Sequence, residues 1–327
     1  MTRLALILVA LVVLLFGASI VTGHAVAGPG DSLRALIAGD GTPLGVVMRE
    51  IRLPRALLAV MVGLSLGLSG AALQGYLRNP LAEPGLIGVS GAAALGAVLA
   101  IQTGIAAVFA LALPLAALCG SVAAVLLILA LAGPRGGSIT LILAGIAISA
   151  LAGALTSLVL NLSPNPFAAA DIVFWMMGSL ADRSFTHVWL ALPFMVAGWV
   201  MLGLTARGLA ALTLGEDAAE AMGVSLARLR LLLILGTAAS VGAATAVAGA
   251  IGFVGLVVPH LLRRFVGARP GALLWASALG GAAMVLAADI AVRVVVPDRD
   301  LKLGVLMALV GAPLFLHLIY KTRRESA

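Results

Sequence analysis

Long apolar stretches follow one another along almost the whole chain. Stretches of roughly 20 apolar residues are long enough to cross the hydrocarbon core of a bilayer. A shorter apolar stretch, 167–180, follows the helix breaker Ser163-Pro164-Asn165-Pro166 and is predicted to be a re-entrant or surface helix. The fold class predicted is all-α, a polytopic membrane protein with a single transmembrane domain over residues 1–327. Ten spans are predicted: 4–22, 54–76, 86–102, 105–132, 139–160, 187–206, 229–249, 252–267, 271–292 and 303–320.

The first apolar stretch admits two interpretations. Arg3, the apolar run Leu4–Phe16 and Ala25-Val26-Ala27 together have the pattern of a signal peptide with a small-residue cleavage site. The alternative is an uncleaved first span over Leu4–Val21. We favour the span, because the run is longer than a usual signal-peptide core and further spans follow it.

Composition excludes a soluble domain and argues against nucleic acid as a partner. The chain is 62% hydrophobic and 10% charged, whereas soluble proteins are nearer ~45–50% apolar and ~25% charged. No alternating segments of the kind that build a spanning β-barrel are visible. The net charge of +7 comes mostly from basic residues at the ends of apolar runs, where they anchor helices in lipid.

The basic residues also predict an orientation. With both termini in the cytoplasm, 12 lysines and arginines fall inside and 8 outside. This agrees in sign with the positive-inside rule. The outer cluster of Arg49, Arg52 and Arg55 runs against that rule.

Several kinds of chemistry are missing from the chain. Neither Lys302 nor Lys321 follows a glycine, so there is no phosphate-binding loop to hold ATP. The histidines are scattered and no nucleophile–base set is recognisable, so we predict no catalytic residue, no metal site and no cofactor. These observations argue against a membrane enzyme.

Few polar groups lie inside the predicted spans. Asp289 is the acid that lies well inside one, which is thin support for the alternative of an ion-coupled secondary transporter. Gln74 is predicted to donate a hydrogen bond to another helix, because an amide in hydrocarbon needs a partner. Glu83-Pro84 is predicted to belong to a cytoplasmic turn.

One short acidic segment interrupts the apolar pattern on the predicted cytoplasmic side. Gly215 and Gly223 are predicted to start and end a helix, within about 214–226, whose first turns carry the acids. A short helix of this kind suits a groove on a soluble partner. An ordinary interfacial loop helix is the alternative. The residues assigned to partner contact are Leu214, Gly215, Glu216, Asp217, Ala219, Glu220, Met222 and Gly223.

Four ordered motifs resemble the FecCD-type permeases of ABC importers for iron–siderophore complexes, haem and cobalamin. The first is RLPRALLAVMVGLSLGLSGAALQGYLRNPLAEPGLIGVSGA, residues 52–92, and the second is GFVGLVVPHLLRRFVG, residues 252–267. The third and fourth are ADIAVR, residues 288–293, and GAPLFLHL, residues 311–318. The acidic segment resembles the coupling helix of the same family.

The resemblance implies how the protein is assembled and where it works. It implies a ten-helix homodimer in the inner membrane of a bacterium, with two cytoplasmic ATP-hydrolysing subunits and a periplasmic or lipoprotein substrate-binding protein. The coupling helix would then lie in a cleft of the ATPase. Asp300-Leu301-Lys302-Leu303-Gly304 departs from the common Glu-x-Pro-Val-Gly pattern and favours a haem-like cargo, although the sequence does not fix the cargo.

The resemblance also assigns roles to single residues. Arg52, Arg55 and Arg293 match positions that meet acidic residues of the binding protein, and Arg49 joins them at helical spacing. Interfacial snorkelling of these arginines is the alternative. The predicted pathway residues are Ser138 and Thr140 at the inner gate and Trp175 and Ser179 at the outer mouth. Trp175 could equally belong to an interfacial aromatic belt.

Overall fold

The protein is built from helices packed side by side. The computed structural model describes residues 2–23, 28–38, 41–109, 111–133, 138–267, 269–295 and 301–325. Helices are the regular secondary structure throughout these ranges, as predicted. In the first half of the chain the helices are α1 Thr2–Val21, α2 Pro29–Ala38, α3 Pro43–Val46, a π-helical turn Val47–Arg52, α4 Leu53–Tyr76, a 3₁₀ turn Pro84–Ile87, α5 Val89–Gln102, α6 Ile105–Val108, α7 Ala112–Ala132 and α8 Ser138–Asn161. In the second half they are α9 Pro166–Met176, α10 Phe185–Leu204, α11 Ala206–Leu212, α12 Glu216–Ala221, α13 Leu226–Ala248, α14 Val254–Arg263, α15 Pro270–Val295 and α16 Leu303–Glu325.

Most of the predicted spans coincide with helices. Seven helical stretches among the described residues are long and apolar enough to cross a membrane, and they fall on seven of the ten predicted spans. The tenth predicted span coincides with α16. The third and eighth contain α5, with 14 residues, and α14, with 10 residues. The predicted short helix after the breaker is α9.

Two predicted spans have the wrong bounds. The stretch 105–132 is divided into α6 and α7, because Phe109 is extended and Pro114 lies in the first turn of α7. Proline fits the first turn of a helix, where its missing amide is not needed, so Pro114 is compatible with α7 beginning at Ala112. The stretch 252–267 contains only the ten residues of α14, which is too short to cross a bilayer alone.

The helices α4, α13 and α15 form the centre of the protein. In an 18-residue apolar stretch of the helical region Pro43–Tyr76, which includes α4, 83% of the residues are buried, and in that of α13 78% are. The corresponding value for α1 is 17%. A Cβ atom at Gly67 of α4 would collide with the carbonyl oxygen of Ser277 in α15, and one at Gly63 would collide with that of Gly281. Small residues let membrane helices approach until their backbones touch. These contacts set the position of both helices.

Candidate functional site

The acidic segment forms a helix with the predicted ends. Gly215 precedes α12 with φ +107, and Gly223 follows it with φ +82. The Gly223 amide donates to the Glu220 carbonyl at 2.8 Å and the Val224 amide to the Ala219 carbonyl at 3.0 Å. This pair of bonds is the Schellman arrangement that ends a helix at a glycine. The segment is therefore a defined helix between α11 and α13.

The two sides of α12 differ. Ala219 is fully buried, where α12 packs against α11 and α13. On the other side Leu214 is 70% exposed and Met222 is 54% exposed, beside the exposed acids Glu216, Asp217 and Glu220. This surface combines apolar and acidic groups and can bind a groove on another protein.

The loop after α4 lies beside α12. Arg78 and Glu216 approach within 3.9 Å, and both side chains are about half exposed. An exposed ion pair of this kind is worth at most about 1 kcal/mol. The contact places the Arg78 loop and α12 on the same surface of the protein.

A buried carboxylate organises the arginines at the opposite end of the helices. Asp289 of α15 is fully buried. Its Oδ1 accepts a hydrogen bond from Nε of Arg55 at 2.9 Å and lies 2.9 Å from Nη2 of the same side chain. Its Oδ2 accepts a hydrogen bond from Nη2 of Arg293 at 2.8 Å. We call Arg52, Arg55, Asp289 and Arg293 the Asp289 cluster. In it one anion is held by two guanidinium groups with good geometry.

The same cluster caps the end of α1. Nη1 of Arg293 donates to two carbonyls of the α1 end, at 2.9 and 2.8 Å, and its Nη2 donates to the Ser19 hydroxyl. Nη1 of Arg52 donates to two more carbonyls, at 3.1 and 2.9 Å. The last carbonyls of a helix have no partner within it. The four carbonyls bound here belong to Ser19, Ile20, Val21 and Thr22.

Arg49 makes a similar contact with another helix end. Its Nε and Nη2 donate to the carbonyls of Leu36 and Ile37 in α2, both at 2.8 Å. All four arginines assigned to docking are thus together, and each has partners within the chain. Only 5% of Arg52 is exposed. Their docking role stays a prediction, and the structure assigns Arg49, Arg52 and Arg293 a second role as helix caps.

A second polar cluster lies where α13 and α14 are separated by an irregular segment. Oε1 of Glu83 accepts a hydrogen bond from the Phe253 amide at 2.8 Å, just before α14. Phe253 has φ +67, a left-handed conformation that is uncommon for a bulky residue. Burial raises the pKa of the Glu83 carboxyl, while the bond from Phe253 acts in the opposite direction. Glu83 therefore caps a short helix from a distant loop.

Gln74 joins the same region to α4. Its Nε2 donates to the carbonyls of Gly255 and Leu256 at 3.3 and 3.2 Å, and to that of Ala82 at 3.3 Å. Its Oε1 accepts from Nη2 of Arg263 at 2.9 Å. The predicted hydrogen bond from Gln74 to another helix is confirmed. It ties α4, α14 and the loop before α5 together.

The predicted pathway residues lie in two places. Ser138 begins α8 and the exposed Thr140 follows it, whereas Trp175 and Ser179 lie beyond the other end of this 24-residue helix. The Ser179 amide donates to the Ala248 carbonyl at 2.8 Å, which ties this region to the end of α13. Nε1 of the half-buried Trp175 has no acceptor among the described residues.

Trp175 also borders a cavity. It shares the lining with Asp171 and Asn165, and the cavity volume is about 470 Å³. In the described part of the chain no three His, Cys, Asp or Glu side chains are grouped so that they could hold a metal ion.

Two acids make structural contacts that the predictions above do not include. Asp289 is considered for ion coupling, but it lies four residues before Arg293 on one helix, and this spacing is a signal for an ion pair. Glu83 lies in the loop between α4 and the 3₁₀ turn Pro84–Ile87, as predicted. Nothing in the local sequence indicates that the Glu83 carboxylate reaches Phe253, 170 residues away.

Comparisons with known proteins agree with the family resemblance. The profile of the FecCD transport family matches residues 10–321. The hemin transport system permease protein HmuU of Yersinia pestis is 38% identical over 280 residues, covering 84% of each chain. The cobalamin import system permease protein BtuC of Halobacterium salinarum is 40% identical over 274 residues, covering 84% of this chain and 73% of its own. A solved structure described as an inward-facing metal-chelate type ABC transporter superposes with a TM-score of 0.87 at 33% identity, covering 98% of this chain and all of the other.

Replacing Asp289 by Asn should destabilise the protein strongly. The variant keeps the shape of the side chain but leaves Arg55 and Arg293 without their counter-charge. Breaking a buried pair in this way costs about 3–5 kcal/mol of unfolding free energy. Asp31→Asn is the control, because Asp31 pairs with Arg34 at the surface and the change should cost less than about 1 kcal/mol. Thermal unfolding of the full-length chain in detergent measures both, and equal stability of the two variants would contradict the role of the Asp289 cluster.

Replacing Glu83 by Gln should remove a pH dependence of stability. Because the folded pKa of Glu83 is raised, its contribution is complete below the unfolded value of about 4.3 and is lost as the pH rises through the folded value. The amide oxygen of the introduced glutamine can still accept the Phe253 hydrogen bond. The stability of the wild type relative to Glu83→Gln should therefore fall as the pH increases from about 4. A wild-type pH profile of unfolding that runs parallel to that of Glu83→Gln would refute the assignment.

Proposed function

The chain belongs to the FecCD transport family, and from this we propose that it is the transmembrane permease subunit of an ABC importer for a ferric chelate, haem or cobalamin. Relatives are named for hemin and for cobalamin, and the matching solved structure is described as a metal-chelate transporter. The three cargoes are large chelates. A large chelate has to slip through a mostly apolar pathway without being held tightly.

The observation that carries this proposal is the free surface of α12. The chain has no phosphate-binding loop, so ATP would be hydrolysed on two separate cytoplasmic subunits. The exposed Leu214 and Met222 would enter a cleft on such a subunit, and the exposed acids would meet basic groups on its rim. Because Ala219 is buried against α11 and α13, a movement of the ATPase cleft that displaced α12 would also displace these helices.

The pathway is proposed to lie between two copies of this chain in the bacterial inner membrane, with the termini in the cytoplasm. Only 33% of the residues in an 18-residue apolar stretch of α8 are buried within one chain. Its exposed side chains therefore have room for a second copy or for the pathway. Ser138 and Thr140 would then lie at the inner gate and Trp175 and Ser179 at the outer mouth.

The substrate-binding protein is proposed to dock near the Asp289 cluster. Arg52 and Arg293 donate hydrogen bonds to the end of α1. The Arg55 side chain is 18% exposed, and the hydrogen bond from Arg49 to the Ile37 carbonyl lies at the surface. Carboxylates on the partner would be attracted to this concentration of positive charge.

A secondary transporter is the weaker alternative. An ion-coupled transporter needs an ionisable group that is available to its ion. Asp289 is fully buried and bound to two arginines, so it does not offer such a site.

Reversing the charge of Glu216, Asp217 and Glu220 to Lys should abolish ATP-driven uptake. The lysines would repel the basic rim of the ATPase cleft, whereas the fold should survive because all three side chains are exposed. Uptake into proteoliposomes that contain the ATPase and the binding protein is the measurement. Asp31→Lys, an exposed change outside α12, should transport normally, and normal uptake by the triple variant would remove α12 from the mechanism.

Replacing Arg49 by Glu should weaken capture of the binding protein by about tenfold, because it replaces an attractive charge by a repulsive one. The effect should shrink at high salt. Arg34→Glu makes the same charge change at a side chain that is 83% exposed and should have little effect. Binding to the permease in nanodiscs measures the affinity, and equal affinities for both variants would count against docking at Arg49.

A further inference from the structure

A cavity that the transport proposal does not use lies between α11 and the start of α15. Its volume is about 700 Å³. Arg207, Thr213 and Arg269 contribute polar side chains, and Ala206, Ala210 and Gly271 contribute small ones. We call it the arginine cavity.

The two arginines of this cavity differ from those of the Asp289 cluster. Both are exposed, and no carboxylate of the described residues lies within ion-pair distance of either. Arg55 and Arg293, by contrast, share a buried carboxylate. The arginine cavity therefore holds two positive charges that no carboxylate of the described residues balances.

The position of the cavity relative to the membrane follows from its neighbours. Trp275 of α15 is 53% exposed, and its ring lies over Gly203 of α10, within 3.1 Å of where a Cβ atom would be. Gly203 is one turn before Arg207, and Trp275 is six residues after Arg269, about 9 Å along the helix. Exposed tryptophans of membrane helices lie at the level of the lipid headgroups. Arg207 and Arg269 therefore lie further from the hydrocarbon core than Trp275.

The helix α11 connects the cavity to the neighbouring elements. This helix packs against α12 and also against α15, where the arginine cavity is. Next to the cavity, Leu204 is 62% exposed at the end of the spanning helix α10. The immediate surroundings are therefore those of a helix surface in contact with lipid.

We propose that the arginine cavity binds the phosphate of an anionic phospholipid in the leaflet on the α12 side. Guanidinium groups bind phosphate oxygens with paired hydrogen bonds. The acyl chains would run past Trp275 and Leu204 along α10 and α15. The proposed function makes this leaflet the cytoplasmic one, but lipid binding requires neither transport nor the ATPase.

Native mass spectrometry of the full-length chain tests the proposal, with phosphatidylglycerol and phosphatidylcholine added in turn to the detergent-purified protein. Wild type should retain phosphatidylglycerol in preference to phosphatidylcholine. Arg207→Gln/Arg269→Gln should need about ten times more phosphatidylglycerol for the same occupancy, since both charged contacts with the phosphate are lost. Arg228→Gln/Arg264→Gln removes the same charge from two other exposed arginines and should bind as wild type.

Three results would overturn the proposal. Equal loss in both double variants would show that net charge alone attracts the lipid. Equal retention of the two lipids by the wild type would show that the headgroup charge is not recognised. If Arg207→Gln/Arg269→Gln bound lipid as the wild type does but no longer bound the ATPase subunits, the arginines would belong to a protein interface. Brominated phosphatidylglycerol gives an independent check, because it should quench wild-type fluorescence more than that of Trp275→Phe.

Discussion

The fold depends on hydrogen bonds to the backbone carbonyls and amides at helix ends, because these groups have no water to bind inside the protein. A carbonyl left without a hydrogen bond in an apolar medium costs several kcal/mol, on the order of a complete hydrogen bond. At the end of α1, Arg52 and Arg293 supply the missing donors. Arg293 could not be buried there without a counter-charge, and Asp289 provides it. One buried acid thus makes it possible to attach α1, whose own surface is hardly buried, to the packed centre of the protein.

The same constraint explains the second polar cluster. The irregular segment between α13 and α14 exposes carbonyls at the end of one helix and an amide at the start of the next. Arg183 donates to the Val247 carbonyl at 2.6 Å, the Ser179 amide donates to Ala248, and Glu83 accepts from Phe253. Irregular backbone is tolerated inside a membrane protein only where other parts of the protein bind it. Each donor or acceptor here comes from outside the break, so the break is held in place from several sides.

These fixed points give a physical basis for the proposed transport mechanism. The centre is closely packed, because glycines let α4 and α15 pack backbone against backbone and the polar clusters tie the irregular segments to it. At one end α12 packs through the buried Ala219 and keeps its acids exposed, and at the other end the Asp289 cluster concentrates positive charge. A partner that moved α12 would act on helices that cannot deform individually, and they would have to respond as units.

The sequence by itself determined the class of the protein and its local elements. The lengths of the apolar stretches indicated the spanning helices, since crossing a bilayer depends on local composition. Gly215, Gly223 and the acids between them predicted α12, and the ordered motifs identified the family. Only the tertiary structure decided which polar groups meet. Arg55 and Asp289 are 234 residues apart in the chain, and their pairing depends on the packing of α4 against α15. The length of an apolar stretch indicates a spanning helix, but it does not show which neighbour a buried charge will face.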